Sequence, residues 1–213
     1  MIVKPPVTRQ QLTDQYDSWY ATSDKVFGGG QPNETVGKIT KYIAGGRVLD
    51  IGGGEGRDAL YLAEQGFTVE VVDLSVVGLA KLQKVANEKD LPITTKVCDI
   101  ISDEVEGECD VVVMSFVLHH MNASDARAVI KNAQAQTVSG GVHTIETFMA
   151  EGELYERNEI SGRFYPSLNV IKELYANWDI KDLSTKEVLS FARKKDGTRM
   201  KNVVVMLVAQ KPD

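Results

Sequence analysis

The chain has 213 residues, of which 43% are hydrophobic and 25% are charged, and its net charge is −6. This composition is ordinary for a globular protein without a membrane span, and the negative charge argues against nucleic acid as a partner. Cys98 and Cys109 match no metal-binding spacing, and residues 1–6 lack the apolar stretch of a signal peptide. We therefore expect a cytoplasmic protein with no bound metal and no membrane or nucleic-acid partner.

The first predicted element is a helix over residues 9–20 that carries the aromatic side chains of Tyr16, Trp19 and Tyr20. Tyr16 and Tyr20 are four residues apart and therefore share one face of this helix. That face either packs on the core or covers a ligand site as a lid, and the sequence supports both interpretations. A second helix is predicted to begin at residues 32–34.

The most informative stretch follows, because a buried strand over Arg47–Ile51 runs into a glycine-rich turn and then into a helix over 58–65. A second strand over 68–72 ends in Asp73. Glycines let a ligand approach the backbone closely, and the helix N-terminus offers unpaired N–H groups. A carboxylate at the end of the next strand can accept two ribose hydroxyls. Together these elements predict a nucleoside-binding crevice at the carboxyl edge of a parallel sheet.

The rest of the chain alternates helices and strands, as expected for a βαβ sheet. Ser75 caps the next helix, and residues 109–118 are apolar almost throughout, which is typical of a central strand. The other predicted elements are a strand over 93–98 before Asp99, a helix over 124–138 stopped by Gly140 and Gly141, a strand over 141–149, a helix over 168–178, and strands over 187–194 and 201–211 joined by a turn at Asp196 and Gly197. We therefore expect an α/β fold that ends in an antiparallel hairpin.

The glycine spacing indicates which nucleoside the crevice binds. The dinucleotide fingerprint G-x-G-x-x-G requires a third glycine at the position of Arg57. The pattern present, Asp50-x-Gly52-x-Gly54-x-Gly56, resembles motif I of the S-adenosylmethionine-dependent methyltransferases with a Rossmann-like fold. The antiparallel hairpin at the end is also typical of that fold, whereas the nicotinamide Rossmann fold ends in parallel strands.

This resemblance implies a class I methyltransferase fold, which is a mostly parallel seven-stranded sheet with a C-terminal antiparallel hairpin and helices on both faces. The chain would form a single domain, with a helical lid in residues 1–44, a cofactor-binding core in 45–150, and a substrate-side insert and hairpin in 151–213. The resemblance also implies S-adenosylmethionine as the cofactor and methyl transfer to a small soluble acceptor.

The resemblance also assigns roles to the residues of the crevice. Asp50 is expected to hold the ammonium of the methionine moiety, or else to cap the turn. Asp73 is expected to accept both ribose hydroxyls, or else to cap the next helix, a task that suits Ser75 better. Asp99 is expected to contact the adenine amino group, unless its loop is simply acidic. The predicted cofactor residues are Asp50, Gly52, Gly54, Gly56, Arg57, Asp73, Leu74, Asp99, Ile100, Ser115 and Tyr20.

A narrower resemblance concerns residues 54–63, which read Gly-Glu-Gly-Arg-Asp-Ala-Leu-Tyr-Leu-Ala. This segment and the Gly-Phe-Thr-Val at 66–69 are similar to the tellurite-resistance methyltransferase group, where G-x-G-R-N-x-x-Y-L-A precedes a G-[FY]-x-V strand. The chain departs from that group at Gly53, which is usually Cys, at Asp58, which is often Asn, and in an insert at 151–162. The resemblance implies an acceptor that is an oxyanion of tellurium or selenium, or another small soft nucleophile.

Three residues are candidates for the acceptor side of the site, namely His119, His120 and Arg163. The histidines follow the fourth strand and either line the acceptor pocket, accept a proton, or pack at the end of a helix. Arg163 either binds an oxyanion or forms a surface ion pair. We expect no conspicuous catalytic cluster, because methyl transfer from a sulfonium mainly requires contact between nucleophile and methyl group. His143, in a predicted strand, is expected to be structural.

Two other functions stay open from the sequence. A nicotinamide-dependent oxidoreductase is disfavoured by Arg57 and the hairpin, and the sequence contains no Tyr-x-x-x-Lys pair. A protein that binds S-adenosylmethionine without turnover would carry the same binding residues as an enzyme. The chain is expected to act as a monomer or a homodimer.

Overall fold

A computed structural model describes residues 8–22, 30–103, 105, 107–156 and 162–213, except for the side chains of 190–193. The helices are α1 (Arg9–Ala21), α2 (Arg57–Glu64), α3 (Val76–Glu88), α4 (Ala123–Gln136), α5 (Glu153–Glu156) and α6 (Leu168–Leu174), and short 3-10 helices cover Val36–Lys41 and Leu118–His120. The strands are β1 (Arg47–Ile51), β2 (Thr68–Asp73), β3 (Ile93–Val97), β4 (Cys109–Ser115), β5 (Thr137–Gly152), β6 (Asp179–Arg193) and β7 (Arg199–Gln210). None of these described helices is long and apolar enough to cross a membrane.

The strands of the described residues form a seven-stranded sheet in the order β3-β2-β1-β4-β5-β7-β6. Neighbouring strands are parallel from β3 to β5, whereas β7 runs antiparallel to both β5 and β6. The chain moves outward from β1 to β3 and then returns to the other side of β1 as β4, so the strand order reverses between β1 and β4. In open α/β sheets, ligands bind at the carboxyl ends of the strands at such a reversal. The predicted sheet and its antiparallel C-terminal strands are confirmed.

The core consists of two clusters of apolar side chains, one on each face of the sheet. β4 contributes to both, because Val112 and Met114 belong to one cluster and Val111 and Val113 to the other, all fully buried. Helices α4 and α6 pack on the first face, and helices α2 and α3 pack on the second. Burial on both faces explains why the β4 sequence is apolar almost throughout.

The boundary between α4 and β5 differs from the prediction. α4 ends at Gln136 and β5 begins at Thr137, so Gly140 and Gly141 lie inside the strand and do not stop the helix. The register between β4 and β5 shifts in this stretch, and the extra residues of β5 form a bulge. Gly140 has a φ of 75°, a conformation that glycine adopts readily. The two glycines therefore mark a bulge rather than the end of a helix.

Several other boundaries were also predicted wrongly. The helix predicted from residue 32 is only the 3-10 helix Val36–Lys41. Two elements end earlier than predicted, since β4 ends at Ser115 rather than at 118 and α6 ends at Leu174 rather than at 178. Two strands are longer than predicted, since β5 continues to Gly152 and β6 begins at Asp179 rather than at 187. Among the described strands, β6 pairs only with β7 and is an edge strand. Its residues can be polar on the solvent side, so the apolar pattern that reveals a buried strand is weak over 179–186. The predicted turn is confirmed, since the Gly197 N–H donates to the Lys194 carbonyl at 3.0 Å.

Candidate functional site

A cavity of about 960 Å³ opens at the carboxyl ends of β1, β2 and β4, where the strand order reverses. Residues that follow these strands form its floor, and residues of α1 form its roof. Small-molecule sites in proteins have volumes of about 300–1,000 Å³. The cavity therefore has room for a large ligand or for two smaller ones.

The glycine-rich turn between β1 and α2 forms one end of the floor. Gly54 and Gly56 have φ values of 56° and 83°, in the left-handed region that favours glycine. A Cβ on Gly54 would meet the Tyr20 hydroxyl, and a Cβ on Gly56 would meet the Leu82 side chain. Gly52 lines the cavity itself. The glycines therefore set the path of the turn and leave room for side chains from α1 and α3.

Asp50 lies near the end of β1, lines the cavity and is almost completely buried. Its Oδ2 atom has no hydrogen-bond partner among the described residues, and neither has the buried hydroxyl of Ser115 at the end of β4. Burial raises the pKa of the Asp50 carboxyl well above its usual range, and the carboxylates of Asp58 and Asp73 raise it further. An unpaired buried carboxylate is unfavourable unless a cation or a donor compensates it. Asp50 is therefore suited to bind a positively charged or donating group of a ligand.

Asp73 lies at the end of β2, and each of its carboxylate oxygens accepts a backbone hydrogen bond. The Gly54 N–H donates to Oδ2 at 2.9 Å, and the Ser75 N–H donates to Oδ1 at 2.7 Å. Burial raises the pKa of this carboxyl, and the hydrogen bonds oppose that shift. The N-cap of α3 is Ser75, whose hydroxyl accepts a hydrogen bond from the Gly78 N–H at 2.9 Å. Asp73 is thus held in a fixed orientation and keeps lone pairs that can accept ligand hydroxyls.

The end of β3 brings Asp99 and Ile100 to the cavity, beside Leu74 from the end of β2. The Asp99 carboxylate accepts a hydrogen bond from the Ile101 N–H at 3.1 Å. It also forms an ion pair with Arg9 of α1. Asp99, which was predicted to contact adenine, therefore contacts the roof helix α1.

α1 covers the cavity through polar contacts, and none of its residues is fully buried. Beyond the ion pair of Arg9, the Ser75 hydroxyl donates to the Asp17 carboxylate, and the Tyr16 hydroxyl is hydrogen-bonded to His120 Nε2 at 2.8 Å. Burial raises the pKa of Tyr16 to about 12, so its phenol stays protonated at neutral pH. The aromatic face of α1 thus lines the cavity rather than packing in the core.

His119 and His120 lie in the 3-10 helix that follows β4, with ring centroids 4.1 Å apart. The Nδ1 atoms of both rings are buried and have no hydrogen-bond partner in the described part of the chain. Burial lowers the pKa of His120 to about 3 and that of His119 well below its usual range, and the positive charge of Arg163 contributes to both shifts. Both imidazoles are therefore neutral at physiological pH.

Aromatic rings surround His119. The ring centroid of Phe148 lies 4.8 Å from that of His119 and 5.4 Å from that of Phe116, and the Tyr165 ring lies 6.5 Å from His119. Phe116 has a φ of 55°, which is uncommon for a bulky residue, and its N–H donates to the Glu146 carbonyl at 2.7 Å. The sequence does not reveal this cluster, because its members come from three separate segments and no local spacing connects them.

Arg163 lines the same part of the cavity. It pairs with Asn122 in an isolated antiparallel bridge, and the neighbouring Phe164 N–H donates to the Met121 carbonyl at 2.8 Å. These backbone contacts attach the segment around Arg163 to the turn after His120. All three predicted acceptor-side residues therefore lie at one cavity. Residues 157–161 of the predicted insert lie outside the described residues.

A group of buried polar residues, where residues 33–35 meet α2 and β5, was not predicted. The Asp58 carboxylate accepts hydrogen bonds from the backbone N–H and side-chain amide of Asn33, both at 2.7 Å. The Glu146 carboxylate accepts from the Thr35 N–H at 2.8 Å and from its hydroxyl at 3.0 Å. Arg57, a predicted cofactor residue, lines the cavity and donates to the Asn33 side-chain carbonyl. The only sequence signal for this group was Asp58, which stands where the tellurite-resistance methyltransferase group often has Asn.

Known proteins resemble this chain in sequence and in fold. The family model described as Tellurite resistance protein TehB matches residues 23–208. A probable S-adenosyl-L-methionine-dependent methyltransferase TehB of Haemophilus influenzae (strain 10810) is 30% identical over 173 residues, which make up 80% of this chain and 59% of that protein. The crystal structure of TehB from Haemophilus influenzae matches with a TM-score of 0.75 and 25% identity, over 93% of this chain and 66% of that one.

Some relatives have a nucleic-acid acceptor in their names. A tRNA 5-carboxymethoxyuridine methyltransferase of Escherichia coli (strain K12) is 28% identical over 120 residues, which make up 55% of this chain and 46% of that protein. The chain spans 59% of the length of the Haemophilus relative that it matches.

Proposed function

Because the chain belongs to the tellurite resistance protein TehB family, we propose that it is an S-adenosylmethionine-dependent methyltransferase that acts on a small acceptor. The observation that carries this proposal is the buried carboxylate of Asp50, whose Oδ2 lacks a partner among the described residues. It lies beside the glycine turn, in the same cavity as the oriented carboxylate of Asp73. A ligand that brings an ammonium to the first carboxylate and ribose hydroxyls to the second would satisfy both.

The residues of the floor fit the parts of this cofactor. Asp50 would bind the ammonium, Asp73 would accept the ribose hydroxyls, and Asp99 with Ile100 would meet the adenine. Tyr20, which packs on the glycine turn, would cover the cofactor from α1. When bound, S-adenosylmethionine supplies a methyl group activated by a positively charged sulfur.

The acceptor would lie against His119, His120 and Arg163. The neutral imidazoles can accept a hydrogen bond from an acceptor hydroxyl, thiol or amine, and Arg163 can pair with an anionic group. α1 covers the space between floor and roof and would exclude water from it when the ligands are bound. Holding the nucleophile against the methyl carbon can lower the barrier by about 7–11 kcal/mol, so positioning is the main task of these residues.

We also propose that the acceptor is a small molecule rather than nucleic acid, although some relatives have tRNA or ribosomal RNA in their names. The net charge of −6 and the acidic lining of the cavity both repel a polyanion. Tellurite and selenite are the first acceptors to test, because the family name implies them. A cytoplasmic location fits the two buried free cysteines, and a monomer or homodimer remains our expectation for assembly.

Isothermal titration with S-adenosylmethionine, S-adenosylhomocysteine and NADH tests the cofactor. We expect the first two to bind, and Asp73→Ala to weaken both by about 100-fold, because two charge-assisted hydrogen bonds are lost. The exposed Asp213→Ala serves as the matched control and should leave binding unchanged. Formation of S-adenosylhomocysteine over time with any acceptor separates an enzyme from a binding protein. Tight NADH binding without binding of S-adenosylmethionine would contradict the proposal and support a nicotinamide-dependent oxidoreductase.

A further inference from the structure

The part of the cavity around His119 differs in chemistry from the part around Asp50. We call it the acceptor pocket and define it by Phe116, His119, Phe148, Arg163 and Tyr165, which all line the cavity. We propose that the acceptor bound there is an organic molecule with a flat apolar body and one anionic group, rather than a compact inorganic oxyanion. This inference rests on the proposed methyltransferase function and narrows its acceptor class.

The walls of the acceptor pocket are mostly aromatic. Phe148 contacts both Phe116 and His119, with ring centroids 5.4 and 4.8 Å apart, in tilted and edge-to-face arrangements. Such rings form stacked or edge contacts with another flat ring. The same cavity is also lined by the apolar side chains of Leu154, Val188, Val204 and Met206. These surfaces favour an apolar ligand body and offer no hydrogen bonds to the oxygens of a small ion.

The position of the Phe116 ring depends on an unusual backbone conformation. Phe116 follows β4 directly, and its φ of 55° places it in a region that bulky residues rarely occupy. The hydrogen bond from its N–H to the Glu146 carbonyl, at 2.7 Å, fixes this conformation against β5. Residues held in such conformations cluster at ligand sites. The fold thus maintains an unfavourable backbone geometry at the point where it places a ring in the acceptor pocket.

Charge in the cavity disfavours a compact oxyanion. Among the described residues, seven carboxylates but only four basic side chains line it. Three of the basic side chains already contact other residues of the lining, since Arg9 pairs with Asp99, Arg57 donates to Asn33 and Lys186 pairs with Glu34. Arg163 is the basic residue left without an ion-pair partner in the described part of the chain. The guanidinium of Arg163 can form two parallel hydrogen bonds to one carboxylate-like group of a ligand. The surrounding carboxylates of the protein repel any further negative charge on that ligand.

The histidines of this region do not add positive charge. Burial keeps the imidazoles of His119 and His120 neutral, and the Nδ1 atom of each is free of partners among the described residues. A neutral imidazole can form a hydrogen bond with an organic hydroxyl, thiol or amine, but it cannot neutralise an oxyanion. The acceptor pocket therefore provides one site for an anion, the neutral imidazole of His119 and an aromatic surface, with the neutral imidazole of His120 beside it.

Two isothermal titrations of the full chain test this inference. The first uses S-adenosylhomocysteine, and the second adds the acceptor probes to protein that is saturated with S-adenosylhomocysteine. The probes are benzoate, cinnamate and naphthoate, their uncharged amides, and tellurite and selenite. We expect at least one aryl carboxylate to bind about tenfold more tightly than its amide and than either oxyanion. Arg163→Gln should remove the advantage of the carboxylate over the amide, and Phe148→Leu, which keeps apolar volume but no ring, should weaken both. Arg127→Gln, exposed on α4, is the matched control.

Three results would overturn the inference: tellurite or selenite binding as tightly as the aryl carboxylates, no binding of any aryl carboxylate, or no effect of Arg163→Gln. The proposed function fails on a separate observation, which is the absence of S-adenosylhomocysteine binding in the first titration. Unchanged binding of S-adenosylhomocysteine in Arg163→Gln and Phe148→Leu shows that both variants fold.

Discussion

The cavity has two halves, a proposed cofactor half around Asp50 and Asp73 and a proposed acceptor half around His119, His120 and Arg163. The two halves are assembled in different ways. On the floor of the cofactor half, the contacts that orient Asp73 are short in sequence, since Gly54 donates to it from 19 residues away and Ser75 from two residues away. In the acceptor half, Tyr16 and His120 meet across 104 residues, and Arg163 arrives from a third segment. A locally encoded site keeps its geometry as long as one turn is preserved. A site assembled from distant segments can change its ligand whenever one segment changes, while the cofactor half stays intact.

The largest expected effect is in the cofactor half, for Asp50→Asn. We expect the affinity for S-adenosylhomocysteine to fall by about 30- to 100-fold, which corresponds to about 2–3 kcal/mol for a lost charged hydrogen bond. The cofactor-free protein should become more stable at pH 8, by about 1 kcal/mol, because burial raises the pKa of Asp50 above its unfolded value and deprotonation therefore destabilises the fold. Thermal unfolding at pH 8 with and without S-adenosylhomocysteine measures both effects. If the variant loses both affinity and stability, Asp50 is a structural residue of the turn.

An effect of intermediate size is expected in the acceptor half, where the pH dependence has the opposite sign. The pKa of His120 falls from 6.5 to about 3 on folding, so between these values the unfolded chain binds a proton that the folded chain does not. The stability that this residue contributes is complete above pH 6.5 and is lost as the pH falls towards 3. When the pH is lowered from 7.5 to 4.5, the free energy of unfolding should therefore decrease in both proteins, but by about 2 kcal/mol less in His120→Gln than in the wild type. Denaturant unfolding at the two pH values measures this difference, and identical losses would show that His120 titrates normally.

The smallest effect is expected for Tyr16→Phe, which removes the hydrogen bond that joins α1 to the acceptor half. The free energy of unfolding should fall by about 1 kcal/mol, because His120 Nε2 loses its partner. The affinity for S-adenosylhomocysteine should change by less than about twofold if the halves are independent. Tyr155→Phe, at an exposed position, is the matched control. A loss of S-adenosylhomocysteine affinity as large as that of Asp50→Asn would show that the two halves are coupled through the roof.

The sequence predicts the two halves of the cavity to different extents, because one is encoded locally and the other is assembled from distant segments. The turn from Asp50 to Gly56 and the acid at Asp73 were predictable, because backbone constraints and strand ends within one βαβ unit specify them locally. The apolar run of β4 was sufficient to predict a central strand, because burial on both faces leaves no polar positions. The resemblance to a methyltransferase family rested on this turn, on residues 54–63 and 66–69 and on the C-terminal hairpin, and it was confirmed by the family match.

Other features depend on tertiary contacts that no local pattern contains. Phe116 was not recognised, because its left-handed backbone is imposed by the Glu146 carbonyl on another strand. β5 was predicted to begin at Gly141, because a glycine pair looks the same in a bulge and at the end of a helix. Arg163 and the histidines were predicted as candidates, but their common location became visible only when the bridge to Asn122 was in place. The residues that we propose to determine acceptor choice are thus the ones that sequence patterns describe least.

The insertion of β7 between β5 and β6 has a consequence for biosynthesis. β7 follows every other strand of the sheet in the chain, yet it occupies an interior position and pairs with both neighbours. On the ribosome, β5 and β6 therefore emerge with open edges and cannot join the same sheet until β7 has been released. Exposed apolar strand edges promote association with other chains. The nascent protein thus passes through a stage in which its first five strands can pair but the sheet is incomplete. A chain shortened before Arg199 would lack β7 and remain at this stage, exposed to aggregation and to proteolysis.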